Sequence, residues 1–243
     1  SPCTEVYLAL SSRDESKGVV HGGPMLYLKK YFSPFWAYLY AVSSFILLIC
    51  WCSSQSNTLG DLLGSYGVPS YASGSALTVV VLFILMGGIK RIAEFASSVV
   101  PWMFLLYSLL CSFVILKNYD QIIPSISMIF NGLTQDYGTL KVGSSFMVTL
   151  LAFRWGLAKG FQTNESGLGT SSIPHSMAGG TSPFNQAILA MAGAFSNGIL
   201  CLLTSMTVLV TGAWKVENLG IGINILGNVF YENFSFVGSL LLL

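Results

Sequence analysis

From Asn185 to Trp214 the chain carries no acidic or basic side chain. A run of that length has few places to go. In water it would need a large protein core on every side, whereas a helix of roughly 20 apolar residues crosses the hydrocarbon of a bilayer at about 1.5 Å per residue. Composition favours the bilayer: 53% of the 243 residues are hydrophobic and 9% are charged, and the mean hydropathy is +0.69. So little polar surface would not cover a soluble domain of this size.

Further uncharged runs repeat the pattern. Phe35 to Cys52, Ser70 to Ile89 and Val99 to Leu116 read as three more crossings. The stretch from Lys141 through Ala152 to Trp155 is shorter and contains glycine, and is a fourth in chain order, which makes Asn185 to Trp214 the fifth. A sixth begins near Phe234 and runs into Gly238-Ser-Leu-Leu-Leu-Leu243. With Ser1 in place of an initiator Met, both ends read as cuts in a longer protein. The expectation is an all-α polytopic membrane protein with about five full transmembrane helices, partial ones at both ends, and a single domain over 1–243. Asp120 to Leu133 spaces its apolar residues as a short amphipathic helix lying at the external interface or capping a cavity, with Pro124 in its first turn; a plain loop is the alternative.

Cations orient the chain. Arg13, Lys17, Lys29, Lys30, Lys90, Arg91, Arg154 and Lys159 fall on one side of these crossings, and Lys117, Lys141 and Lys215 on the other. The positive-inside rule makes the GGIKRI loop and the segment Arg154 to His175 cytoplasmic, and the connection from Leu59 to Ser70 external. Tyr71, Trp102, Tyr107, Tyr119 and Trp214 lie near segment ends, where aromatic belts form. A net charge of +1 gives no sign of nucleic-acid binding.

Chemistry for catalysis is missing from the pattern. Asp61, Asp120 and Asp136 fall in connections, no HExxH motif occurs, and an intramembrane enzyme would need such groups within its crossings. Cys50, Cys52, Cys111 and Cys201 sit in apolar segments as small hydrophobes, Cys3 stands apart, and no spacing suits zinc. The most informative segment is Arg154 to His175, rich in small and polar residues between two apolar stretches. Such irregular backbone at a membrane is where transporters keep moving parts.

Four motifs then carry a resemblance. GGPMLYLKKYF at 22–32, SSQSN at 53–57, GGIKRIAEFASSVVPWMFLLY at 87–107, and FRWGLAKGFQTNESGLGTSSIPHS at 153–176 followed by TGAW at 211–214 resemble, in order, motifs of the alanine-or-glycine:cation symporter family. The resemblance covers nearly the whole chain. It implies secondary active symport of a small neutral amino acid with Na⁺, H⁺ being the other coupling ion used, by alternating access in a LeuT-like inverted-repeat transporter fold. It implies no organic cofactor, no nucleic-acid partner, and a multi-pass place in the plasma membrane, the inner membrane of a bacterial cell. It also implies that the broken first helix and the late helices completing a sodium site lie outside this chain, so ion ligands stay open.

Residue roles follow the matched motifs. Gln55 takes the place of the family's glutamine and is expected to bind substrate, with Leu59 one turn on as a wall for a small side chain; an interhelical hydrogen bond is the alternative. Asn57 is expected to cap or pair. Asn197 occupies a position where many family members resemble FIDT, with an aspartate for the substrate ammonium; the neutral amide loses charge assistance, and an interhelical bond is again the alternative. Asn164, Glu165, Gly167 and Gly169 form the gating motif NESGLG, with Glu165 paired to Lys159 or Arg91 on the cytoplasmic side; an ion-ligand role for Glu165 is the alternative. His175 is expected to be a satisfied structural group more than a proton carrier, and His21 a loop residue. Asn197, Ser166 in place of alanine, and the apparent cuts leave a second reading open: a non-transporting membrane protein derived from such a symporter.

Overall fold

The computed structural model describes residues 2–14, 22–134, 142–178, 182–216 and 222–240. Lys17, His21, Asp136, Lys141 and Leu241 to Leu243, each assigned a place above, lie outside them. The described residues form helices: α1 (Pro2–Ser11), α2 (Pro24–Tyr31), α3 (Pro34–Ser65), α4 (Ser70–Leu85), α5 (Gly88–Lys117), α6 (Ile122–Thr134), α7 (Val142–Thr163), α8 (Ser172–Ser176), α9 (Pro183–Thr211) and α10 (Ile223–Leu240). Short 3₁₀ turns follow α5 and α9. Prolines begin α1, α2, α3 and α9, where the missing N–H costs nothing and the fixed φ suits a first turn.

Within α3, α5 and α9, Pro34–Gly64, Arg91–Lys117 and Pro183–Thr211 are long and apolar enough to cross a membrane; α4 is a shorter apolar helix. Their surfaces confirm the solvent. On α3, Phe35, Trp36, Phe45, Ile46 and Ile49 are all exposed. In water each would forfeit about 1.5–3 kcal/mol of burial, a loss that hydrocarbon does not impose.

Several helices extend past the sequence expectation, whereas α4 stops at Leu85, short of Ile89, and α9 at Thr211, short of Trp214. α3 does not stop at Cys52 but runs through SSQSN to Ser65, which leaves only 66–69 as the connection and puts Asp61 on a helix. α5 starts at Gly88, so most of GGIKRI is its first turn rather than a loop. α7 continues to Thr163, so ten residues of the supposed interruption are helical; the irregular backbone is 164–171. α10 begins at Ile223, well before Phe234. The amphipathic reading of 120–133 holds as α6, with Pro124 in the first turn, and the loop alternative falls.

Contacts divide the chain into two units. The first comprises Ser1–Cys50 and Gly132–Ile199, the second Trp51–Asn131 and Leu200–Leu243. In the first, α1 packs on α2 and α8, and Val6, Leu10, Ala187 and Ala190 form its buried centre. In the second, α4 packs on α5, and Cys111 and Val114 of α5 meet Leu226, Val229 and Phe230 of α10. Tyr107 shares a 2.5 Å hydrogen bond with Thr204 and sets its ring edge-on to Phe230. All five cysteines are free thiols, and only Cys111 is buried.

Candidate functional site

The loop between α7 and α8 owes its shape to the way α7 ends. The Ser166 N–H bonds to the Phe161 carbonyl at 3.2 Å and the Glu165 N–H to the Gln162 carbonyl at 3.2 Å. This is a Schellman cap, which requires a left-handed residue just past the helix. That residue is usually glycine. Here it is Glu165, with φ 49°, a conformation that costs a non-glycine residue of order 1 kcal/mol or more. Gly167 (φ 86°) and Gly169 (φ 74°) continue the left-handed course. At Gly169 a Cβ would also meet Pro24 Cγ at 2.5 Å, so close packing as well as φ demands glycine there.

Left-handed residues at alternate positions turn backbone N–H groups to one side, making a concavity for an anion. A carboxylate of the chain itself fills it. Glu5 of α1 accepts the Gly167 N–H at Oε1 (2.7 Å) and the Gly169 N–H at Oε2 (3.0 Å). From α3, the Tyr40 hydroxyl donates to the Leu168 carbonyl at 2.9 Å. Burial pushes the Tyr27 phenol up, and the charge of Glu5 adds to the shift. The sequence reading missed Glu5. An acidic residue followed by apolar ones near a chain end gives no hint of a partner 162 positions away.

The other side of the loop borders a cavity of about 440 Å³. Its lining includes Thr163, Asn164, Glu165, Ser171, His175 and Asn197, with Gly193 and Ala194 of α9 as a small-residue wall. Four residues named from the sequence therefore meet here: Asn164, Glu165, His175 and Asn197. Asn197 donates Nδ2 to the Thr163 carbonyl at 2.5 Å, the interhelical bond the sequence held as its alternative, while its side chain also lines the cavity. Asn164 donates to Gly160 at 3.1 Å, but its buried Oδ1 has no partner, nor has the buried Ser171 hydroxyl. Glu165 Oε2 accepts the Thr170 hydroxyl at 2.7 Å. The expected ion pair with Lys159 is not formed; that ammonium donates to Gln162 at 3.2 Å, and Arg91, in the second unit, stacks over Phe83. The Glu165 carboxylate finds its partner within the loop, at Thr170, and not on α7.

His175 is satisfied, as expected. Its Nδ1 bonds to Gln186 Nε2 at 2.9 Å, which makes Nδ1 the acceptor of a neutral ring, and burial pushes its pKa down. The lining thus offers the Glu165 carboxylate and the negative end of the α7 dipole, while the unpaired Asn164 amide oxygen and Ser171 hydroxyl are themselves buried. Among the described lining residues none carries a positive charge. Such a surface accepts a small hard cation or an ammonium group and repels an anion.

Gln55 and Leu59 belong to the second unit, on α3. Gln55 is exposed and Leu59 half-buried. They share one helical face, while the opposite face, with Ser53, Ser56, Asn57 and Gly60, lines a separate hollow of about 510 Å³ against Ser70, Ser73 and Gly74 of α4. Asn57 donates to Asp61 at 3.3 Å, so it pairs as expected.

The sodium:alanine symporter family matches residues 1–243. An uncharacterized transporter of Haemophilus influenzae is 30% identical over 88% of this chain and 48% of its own length. The sodium/alanine symporter AgcS of Methanococcus maripaludis is 28% identical over 86% of this chain and 47% of its own. A sodium/proton-dependent alanine carrier protein of Bacillus sp. is 29% identical over 68% of this chain and 36% of its own. The chain spans less than half the length of each. The family and these relatives are transporters and not enzymes, which agrees with the several apolar helices of a multi-pass plasma-membrane protein. With every residue inside the family match, the chain belongs to the sodium:alanine symporter family.

Proposed function

We propose that the protein carrying this chain is a secondary symporter that moves a small neutral amino acid of the alanine or glycine type together with Na⁺, by alternating access. The observation that carries the reading is the cavity beside the 164–171 loop, where Glu165, Asn164 and Asn197 meet a wall of glycine and alanine and no described lining residue is cationic. Its size and its small-residue wall suit a solute with a short side chain, and its oxygens suit the positive partner of a symport cycle. Family membership supports the coupling to sodium, since family and relatives are named for it. We further assign the chain to a LeuT-like inverted repeat. In this reading Asn197 faces the substrate, Gln55 and Leu59 contribute from α3, and Asn164, Glu165, Gly167 and Gly169 shape the gate.

Proteoliposomes containing the full-length protein test the proposal. Labelled alanine should accumulate when an inward Na⁺ gradient is imposed, and should not when choline replaces Na⁺. Accumulation driven equally well by a proton gradient without Na⁺ would reassign the coupling ion. No uptake of alanine or glycine under any gradient, from protein that is folded, would overturn the reading.

One observation favours a second reading. Asn197 spends its amide N–H on the Thr163 carbonyl, as a purely structural residue would. A non-transporting descendant of a symporter would keep that bond and lose alanine binding, and calorimetry with alanine separates the two.

A further inference from the structure

Helix α6 is turned inside out by the standards of a water-soluble protein. Placed at 100° per residue, Ile122, Ile123, Ile126, Ile129 and Phe130 form one stripe, and Pro124, Ser125, Ser127, Met128 and Asn131 occupy the rest of the circumference. An amphipathic helix on a soluble domain buries such a stripe. Here Ile123 is 79% exposed and Phe130 64%, with Ile126 and Ile129 exposed as well, while Ser125 is only 5% exposed. The small polar residue faces protein, and the apolar stripe faces out.

Its place in the chain says what lies outside. α5 is a membrane-capable helix that ends at Lys117, and a 3₁₀ turn over Tyr119–Gln121 leads directly into α6. A crossing helix that ends on a lysine delivers the next residues to the headgroup level. Tyr119, 66% exposed, sits at that corner, where an aromatic ring with a polar tip belongs. α6 has 13 residues and includes a proline, too short to cross the hydrocarbon.

We infer that α6 is a monotopic helix that lies in the membrane–water interface of the lipid bilayer, with Ile123, Ile126, Ile129 and Phe130 sunk among the acyl chains. The helix carries no basic residue, and Asp120 precedes it. Its attachment therefore comes from apolar area and not from attraction to anionic headgroups. The bond between Asn131 Nδ2 and Ser127 Oγ, 3.2 Å, keeps two polar side chains engaged with each other on the remaining surface.

Nitroxide labels test this in the full-length protein in nanodiscs, after exposed Cys50, Cys52 and Cys201 have been replaced. Labels on I123C, I126C and F130C should collide with oxygen in preference to a water-soluble nickel chelate, and a label on S127C should show the reverse. The preference should be the same in zwitterionic discs and in discs containing phosphatidylglycerol. Should the labelled variants fail to fold, Phe130→Trp supplies the reading, since its added fluorescence should be quenched by brominated lipid and not by iodide. Labels open to the nickel chelate on the apolar stripe would overturn the inference, because α6 would then stand in water. Labels closed to both reagents would overturn it too, because another copy or another part of the protein would cover the stripe. Insertion only in discs with anionic lipid would refute the apolar attachment.

Discussion

Replacing Glu5 with alanine is the sharpest perturbation of the site that leaves the cavity lining untouched. Two backbone N–H groups, of Gly167 and Gly169, lose their acceptor at once. A hydrogen bond to a charged group contributes about 1.5–3 kcal/mol, which bounds the loss at about 3–6 kcal/mol. Water reaches the Gly167 side, so rehydration of that N–H recovers part, and about 2–3 kcal/mol is expected. Glu5→Gln keeps one acceptor oxygen and forfeits the charge, so about half that loss should follow. Thermal unfolding in detergent, with scan rate held fixed, measures both variants against the parent. The order should be parent, then Gln, then Ala, and hydrogen exchange at Gly167 and Gly169 should speed up in the same order. An alanine variant within about 0.5 kcal/mol of the parent, the scale of an ordinary surface substitution, with exchange unchanged, would refute the role given to this carboxylate.

Other substitutions probe the remaining elements. Gly169→Ala combines a left-handed φ of 74° with a clash against Pro24 and should lower stability by about 2–4 kcal/mol, read by the same unfolding assay. Glu165→Gly suits the Schellman cap better but removes the cavity's carboxylate; stability should stay within about 1 kcal/mol of the parent while Na⁺ affinity, measured calorimetrically, falls roughly tenfold. Burial depresses the His175 pKa below its ordinary 6.5, so the unfolded chain takes up the proton first. Its contribution to stability is complete above that pH and is lost as pH falls below it, and His175→Gln should flatten that part of the pH–stability curve. Phe230→Ala, at a fully buried position between α5 and α10, should cost about 3–5 kcal/mol and leave Na⁺ binding in the cavity unchanged if the folded fraction is assayed.

Hydropathy by itself determined that the chain lives in a bilayer, and the motif order determined its family. The apolar runs at 35–52 and 99–116 each became part of a helix, the run at 185–214 became α9 up to Thr211, and the period of Asp120 to Leu133 became α6. What hydropathy cannot report is where a helix ends, because it measures preference for solvent and not the continuation of backbone hydrogen bonds. α3 carries SSQSN as helix, and α7 carries Arg154 to Thr163, since serine, glutamine and lysine satisfy a helical backbone as well as leucine does when nothing opposes them. The gathering of Asn164, Glu165, His175 and Asn197 about one cavity was half legible, because a shared motif implies nearness only along the chain. Tertiary structure alone decided that Glu5 fills the anion nest of the loop, that Glu165 turns to Thr170 and not to Lys159, and that Gln55 lies on the face of α3 opposite the hollow against α4. Each of these is a choice among polar partners of similar chemistry, and only distance in the folded chain selects one.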